Sequence, residues 1–274
     1  MKKKKINVFS TSMVFLIVIL TMFPFYIMLV GSFKPPISLI TFPIDLNPFT
    51  DLTLKNVITV WEKSDILLWL KNTFIIGISV AAITVVVGVM AGYAFARLEF
   101  KGKKLLFMLV MATMMMPKQV LLIPNYLVAK QLSLVDTMIG VILTSVAPAF
   151  GIFLSRQYIS SLPGELFEAA EIDGCGEFRK FLMIAVPLST PAMGTIGIFS
   201  FFSCFNDYLW QLLMISKKSL KTLPIGISMY AQTMPGNVAA QLAVALFATV
   251  PVVILFLVCQ KFFIKGATEG SVKG

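Results

Sequence analysis

The chain has 274 residues, 58% hydrophobic and 13% charged, with 23 Lys and Arg against 13 Asp and Glu and a net charge of +10. An ordinary soluble domain carries about 25% charged residues, so a soluble fold is excluded, and apolar runs that do not alternate in polarity exclude a barrel in favour of membrane-spanning helices. The chain has no histidine, which removes His-based acid–base, nucleophilic and metal chemistry. The positive charge is scattered between apolar runs, not gathered into a nucleic-acid surface.

The fold class predicted is all-α and polytopic, with six transmembrane helices. The first uncharged run, Ile6 to Phe33, exceeds the roughly 20 residues that cross a bilayer. It is longer than a signal peptide's apolar core and lacks a small-residue cleavage site, which predicts a retained helix. A Pro-rich, net-neutral loop follows from Lys34 to Lys71. The second span is Asn72 to Ala96, where Gly88 and Gly92 form a small-residue face suited to close helix approach. The third, Leu105 to about Val128, contains Pro117, Lys118 and Pro124 and is predicted to be broken, because proline removes a backbone donor and clashes one turn back. The fourth is Thr137 to Ser155, the fifth Pro191 to about Ile215 with a single charge at Asp207, and the sixth begins near Ala239.

Orientation follows from the basic residues. The N terminus, Arg97 to Lys104, Arg156 to Lys180 and the C-terminal tail hold 14 of the 23 Lys and Arg, which predicts both termini in the cytoplasm. The tetralysine at residues 2–5 reads as part of that signal. Lys217, Lys218 and Lys221 fall on the opposite side, against the rule.

Between the fourth and fifth spans the chain does not read as a loop. Ser161 is a candidate cap, Pro163 suits a first turn, and helix-favouring residues run to Gly174-Cys175-Gly176, after which a second helix starts at Glu177 and stops near Pro187. Leu166, Ala169, Ala170 and Asp173 share one face, with Glu165, Glu168 and Glu171 beside it. Five acids stand here against three bases on a side that topology makes basic. Two readings fit, a docking knob for a basic cytoplasmic partner and a solvated connector.

These residues carry a resemblance. Glu168-Ala169-Ala170, Asp173-Gly174, Phe181, Ile184, Pro187 and Pro191 resemble the EAA motif of permease subunits of binding-protein-dependent ABC importers. Ala91-Gly-Tyr-Ala-Phe-Ala-Arg97, Ile123-Pro124 and Phe205-Asn-Asp-Tyr-Leu-Trp210 extend the likeness to the carbohydrate-uptake branch that includes the maltose permease subunit MalG. Cys175 stands where the motif usually has alanine, and Val186 where leucine is usual. The resemblance implies a type I ABC importer permease with residues 1–71 as an N-terminal segment and 72–274 as the core. It also implies a cytoplasmic coupling helix within about 162–187, where Glu168, Ala169, Ala170, Asp173 and Gly174 meet an ATPase subunit. The implied partners are a homologous second permease, two ATPase copies, an extracytoplasmic solute-binding protein, lipid and a carbohydrate. The implied location is the bacterial plasma membrane.

Asp207 falls near the outer third of the fifth span, and with Asn206, Tyr208 and Trp210 it forms a polar and aromatic group suited to a sugar. A structural polar knot is the other reading. Lys118 and Gln119, at the break of the third span, line the path or snorkel outward. No catalytic or metal site is expected: Cys175, Cys204 and Cys259 read as packing residues, and Met108, Met111, Met114, Met115 and Met116 as adaptable lipid-phase packing. Gly102-Lys103 is followed by Lys104, not by Ser or Thr, so the chain has no P-loop, and ATP and Mg belong to the partner ATPase. The predicted function is carbohydrate import. Glycerol phosphate or another polyol derivative is the alternative within the class, and a secondary transporter lies outside it.

Overall fold

The computed structural model describes residues 8–269, all of whose regular structure is helical. The tetralysine, the last five residues and the side chain of Cys259 lie outside the described residues. Among the described residues, three helices are long and apolar enough to cross a membrane by themselves: α1 (Val8–Ser32), α3 (Ile66–Arg97) and α14 (Val238–Glu269). Three bent pairs of helices pass the same test of length and composition. In the first, α4 (Lys103–Met115) turns by 94° into the segment holding α5 (Leu122–Gln131). In the second, α6 (Met138–Ser145) turns by 44° into α7 (Pro148–Ser160). In the third, Glu177–Leu188 turns by 73° into Thr190–Phe205. Counting each pair once gives the six spans expected.

The breaks follow from the sequence. Pro117 sits in extended backbone between α4 and the turn Lys118–Leu121, whereas Pro124 falls in the first turn of α5, where its missing N–H costs no bond. The fourth span was read as one helix. It is two, because Pro148 cannot continue α6 and instead starts α7, which runs on to Ser160. The second span begins at Ile66 and not Asn72, so Lys71 lies inside α3. The preceding loop is shorter than expected and contains α2 (Lys55–Lys63). The fifth span also needs correction. Its helix ends at Phe205, and α12 (Tyr208–Met214) starts separately with Asp207 as its cap.

Two compact units emerge. Among the described residues, the first joins those up to 67 with 226–253, and the second joins 68–225 with those from 254 on. In the first, the Lys34 side chain is fully buried, and its Nζ donates to Asp45 Oδ2 at 2.6 Å, Thr50 O at 2.6 Å and Thr50 Oγ1 at 2.9 Å. Three acceptors match the three donors of an ammonium, so the charge is buried without an orphan. Asn56 adds bonds from Nδ2 to Ser32 O and Lys34 O. These contacts tie the start of the net-neutral loop to its middle.

In the second unit two clusters form at different levels of α3. Ile76 and Val80 pack with Val141, Cys204, Trp210 and Met214. Val89 and Tyr93 pack with Ile159, Phe167 and Ala185. Between them α3 and α7 come into backbone contact, because a Cβ on Gly88 would stand 2.9 Å from the Gly151 backbone. This is the close approach that the Gly88–Gly92 pair predicted, and Gly151 and Ser155 supply the matching small residues.

Candidate functional site

Two places gather the residues singled out from sequence. The first is α8 (Glu165–Ile172) with the segment that follows it. Ser161 does not cap this helix. It closes α7, its hydroxyl donating to Tyr158 O at 2.7 Å, and Gly164 holds the N-cap position of α8. The C-terminus is a Schellman turn, with Cys175 N donating to Ala170 O at 2.8 Å and Gly174 N to Glu171 O at 3.0 Å. Gly174 takes φ +75, the left-handed conformation this turn requires and L side chains resist.

Only Phe167 of α8 is buried, and it lies under the Arg97 guanidinium, 4.1 Å from ring centroid to Cζ. Glu165, Glu168, Ala169 and Asp173 are exposed, Ala170 is half-buried, and Leu166 and Ile172 present apolar surface. The acids divide in two. Lys180, itself buried, donates to Glu171 at 2.9 Å and Glu177 at 2.8 Å, while Glu165, Glu168 and Asp173 form no ion pair among the described residues. What α8 offers outward is therefore apolar at Leu166 and Ile172, thin at Ala169 and negative at its edges. Phe167, Lys180 and the Arg97 contact were not identified from sequence. A lone aromatic among polar helix formers was the available signal for the first.

The second place is a cavity of about 350 Å³ lined by Lys118, Gln119, Asn125, Ser203, Asp207 and Trp210, among others. Its size lies at the lower end of small-molecule sites. Residues 85 positions or more apart meet because the 94° turn after α4 and the end of the Thr190–Phe205 helix bring two chain breaks together. Lys118 Nζ stands 3.3 Å from Ser203 Oγ. Asp207 Oδ1 accepts from Trp210 N at 3.2 Å, and Trp210 Nε1 donates to Thr144 Oγ1 at 3.0 Å. Four of the six residues named for the pathway share this cavity. Asn206 does not line it and donates instead to Phe202 O at 2.9 Å, and Tyr208 is half-buried outside it.

Further polar ties in the same unit are made by other residues. Gln211 is buried, donates from Nε2 to Cys204 O at 2.7 Å and accepts from Thr222. Asn72 donates to Ser219 O and Lys221 O, and Thr73 Oγ1 accepts from Leu223 N. Asp136 adds a further tie. Its Oδ1 accepts from the N–H groups of Ser216 and Lys217, which hold its carboxyl below the usual carboxylate range. The Lys217 side chain joins this tie, its Nζ donating to Asp136 O at 3.2 Å, which gives a structural role to a lysine that the charge rule puts on the wrong side.

Apolar helices with bent spans, a helical knob beside Arg97 and a polar cavity at two helix breaks are features expected of a membrane transport permease. Residues 84–268 match the family described as binding-protein-dependent transport system inner membrane component, and the chain belongs to that family. It is 34% identical over 259 residues to the arabinooligosaccharides transport system permease protein AraQ of Bacillus subtilis (strain 168), covering 93% of this chain and 92% of that one. It is 30% identical over 277 residues to the sn-glycerol-3-phosphate transport system permease protein UgpE of Salmonella typhimurium (strain LT2), covering 98% of each. A bacterial ABC transporter involved in import of the acidic polysaccharide alginate contains a chain of the same fold, with TM-score 0.80 and 20% identity over 94% of this chain and 96% of that one.

Proposed function

We propose that this permease is one of two membrane subunits of an ABC importer for a carbohydrate, with α8 as the helix that docks a cytoplasmic ATPase and the Lys118–Asp207 cavity on the solute path. The observation that carries the solute assignment is the convergence of Lys118, Gln119, Asp207 and Trp210 on one cavity. Donors, an acceptor and an indole in one small space suit a polyhydroxylated ligand. The oligosaccharide permease among its relatives supports this class. Lys118 and the glycerol-phosphate relative support a second reading, a phosphorylated polyol.

The mechanism is alternating access. A solute-binding protein delivers ligand to the outward face of a cavity shared with a homologous partner permease, and two ATPase copies, using ATP and Mg, close and open on the cytoplasmic side. ATP drives the exchange by stabilising one of the two states over the other, and a rigid α8 passes that preference to the spans. Both termini then lie in the cytoplasm of a bacterial plasma membrane, a placement that the distribution of basic residues supports.

The test is ATP hydrolysis by the reconstituted complex of this chain with its partner permease, ATPase and binding protein, against neutral oligosaccharides, glycerol phosphate and no ligand. Stimulation by an oligosaccharide is expected. Stimulation by glycerol phosphate alone replaces the carbohydrate assignment with the second reading, and an assembled complex that responds to neither overturns both.

A further inference from the structure

The Ala91–Arg97 segment stood out in the sequence without a role, and it holds the segment that follows α7 from two sides. Arg97 donates to Ile159 O at 2.9 Å and Leu162 O at 2.6 Å while its guanidinium covers the Phe167 ring. Four residues earlier, one helical turn, Tyr93 is buried, its ring centroid 6.3 Å from that of Phe167 and 5.3 Å from that of Phe181. Its hydroxyl donates to Glu177 Oε2 at 2.9 Å, and Glu177 also receives Lys180, which joins it to Glu171 of α8. The segments before and after the Gly174 turn are therefore both fastened to the same turn of α3.

The fastening continues into α7. Arg156 reaches back to Phe95 O at 3.4 Å and lies over Phe107 of α4, and the glycine contact at Gly88 and Gly151 locks α3 to α7 one to two turns further on. A helix held at one point pivots when pushed, whereas one held by a planar cation, an aromatic pair and a charged hydrogen bond transmits the displacement.

We infer that Tyr93 and Arg97 are positioning residues through which movement of α8 reaches α3 and α7. The inference rests on α8 being the ATPase-docking helix. Arg97→Lys keeps the charge but loses the planar stacking on Phe167. Phenylalanine at 93 keeps the packing and removes only the bond to Glu177.

The experiment uses the full transporter in lipid vesicles, with Cys175, Cys204 and Cys259 replaced and spin labels at Ile172 on α8 and Val86 on α3, both exposed. The distance between the labels is measured without nucleotide and after trapping with ATP and vanadate. With Tyr93 and Arg97 intact it stays fixed through trapping, and in Tyr93→Phe and in Arg97→Lys it shifts or broadens while the ATPase still copurifies. A distance that stays fixed in both variants overturns the relay. Immobilisation of the Ile172 label when the ATPase assembles tests the reading beneath it: if that label is unaffected, α8 is not the docking helix, whatever the distances show.

Discussion

Gly92 of α3 stands against Ser155 of α7 with no room for a side chain between them. With Gly88 on Gly151, it sets how near two membrane helices approach, and in lipid such proximity is itself the source of association, because apolar surface gains nothing by leaving an apolar solvent.

Gly88→Leu and Gly92→Leu are therefore expected to cost about 1–3 kcal/mol each through overpacking, seen as a lower thermal midpoint of the purified complex. Gly197→Ala is the contrast. Its added Cβ would meet Val85 at 3.5 Å, an ordinary contact, and the midpoint should hold.

The Lys34–Asp45 pair predicts an acid-sensitive loop. The Lys34 ammonium, helped by the Asn47 N–H, pulls the Asp45 carboxyl from its ordinary 3.8 down to about 2. A carboxyl lowered in the folded state lends stability above its unfolded value and loses it as pH falls through the folded one. Protease sensitivity of residues 34–54 should thus rise between about pH 4 and pH 2. Asp45→Asn should raise sensitivity at neutral pH and flatten the dependence across that window.

Gly174→Asp and Glu168→Lys test the docking surface. The first puts a side chain on φ +75, and the second reverses a charge on the exposed face of α8. Reduced ATPase copurification or reduced uptake is expected from each, and both quantities unchanged in both variants would remove α8 from the docking role.

One substitution separates the cap that Asp207 makes from its proposed place on the solute path. Its Oδ1 caps α12, a contribution of about 1 kcal/mol, while its charge faces the cavity. Asp207→Asn keeps an oxygen for the cap and removes the charge, so loss of uptake in a fully assembled complex supports the pathway role. Asp207→Ala should in addition lower the thermal midpoint.

Much of this is legible in the sequence alone. Runs of apolar residues without charge define six spans because each must exclude water over some 30 Å, and the EAA-like segment reads as two helices around Gly174 because its glycines and acids fall at helix ends. Local chemistry also placed the break at Pro117. The same reasoning failed where two signals competed. Pro148 was hidden inside a continuous apolar run, and Asp207 was counted into a span whose helix had ended at Phe205, since hydropathy measures immersion and not continuity of hydrogen bonding.

What sequence alone determined is the environment of each segment and the family of the whole, because the bilayer acts on composition one segment at a time. What only the tertiary structure decided is which distant residues meet. Lys118 reaches Ser203, Arg97 covers Phe167 and Asp136 receives Ser216. Those meetings depend on the angles at three helix breaks and on the depth to which glycine lets α3 and α7 approach, and neither is encoded in the periodicity of any one helix.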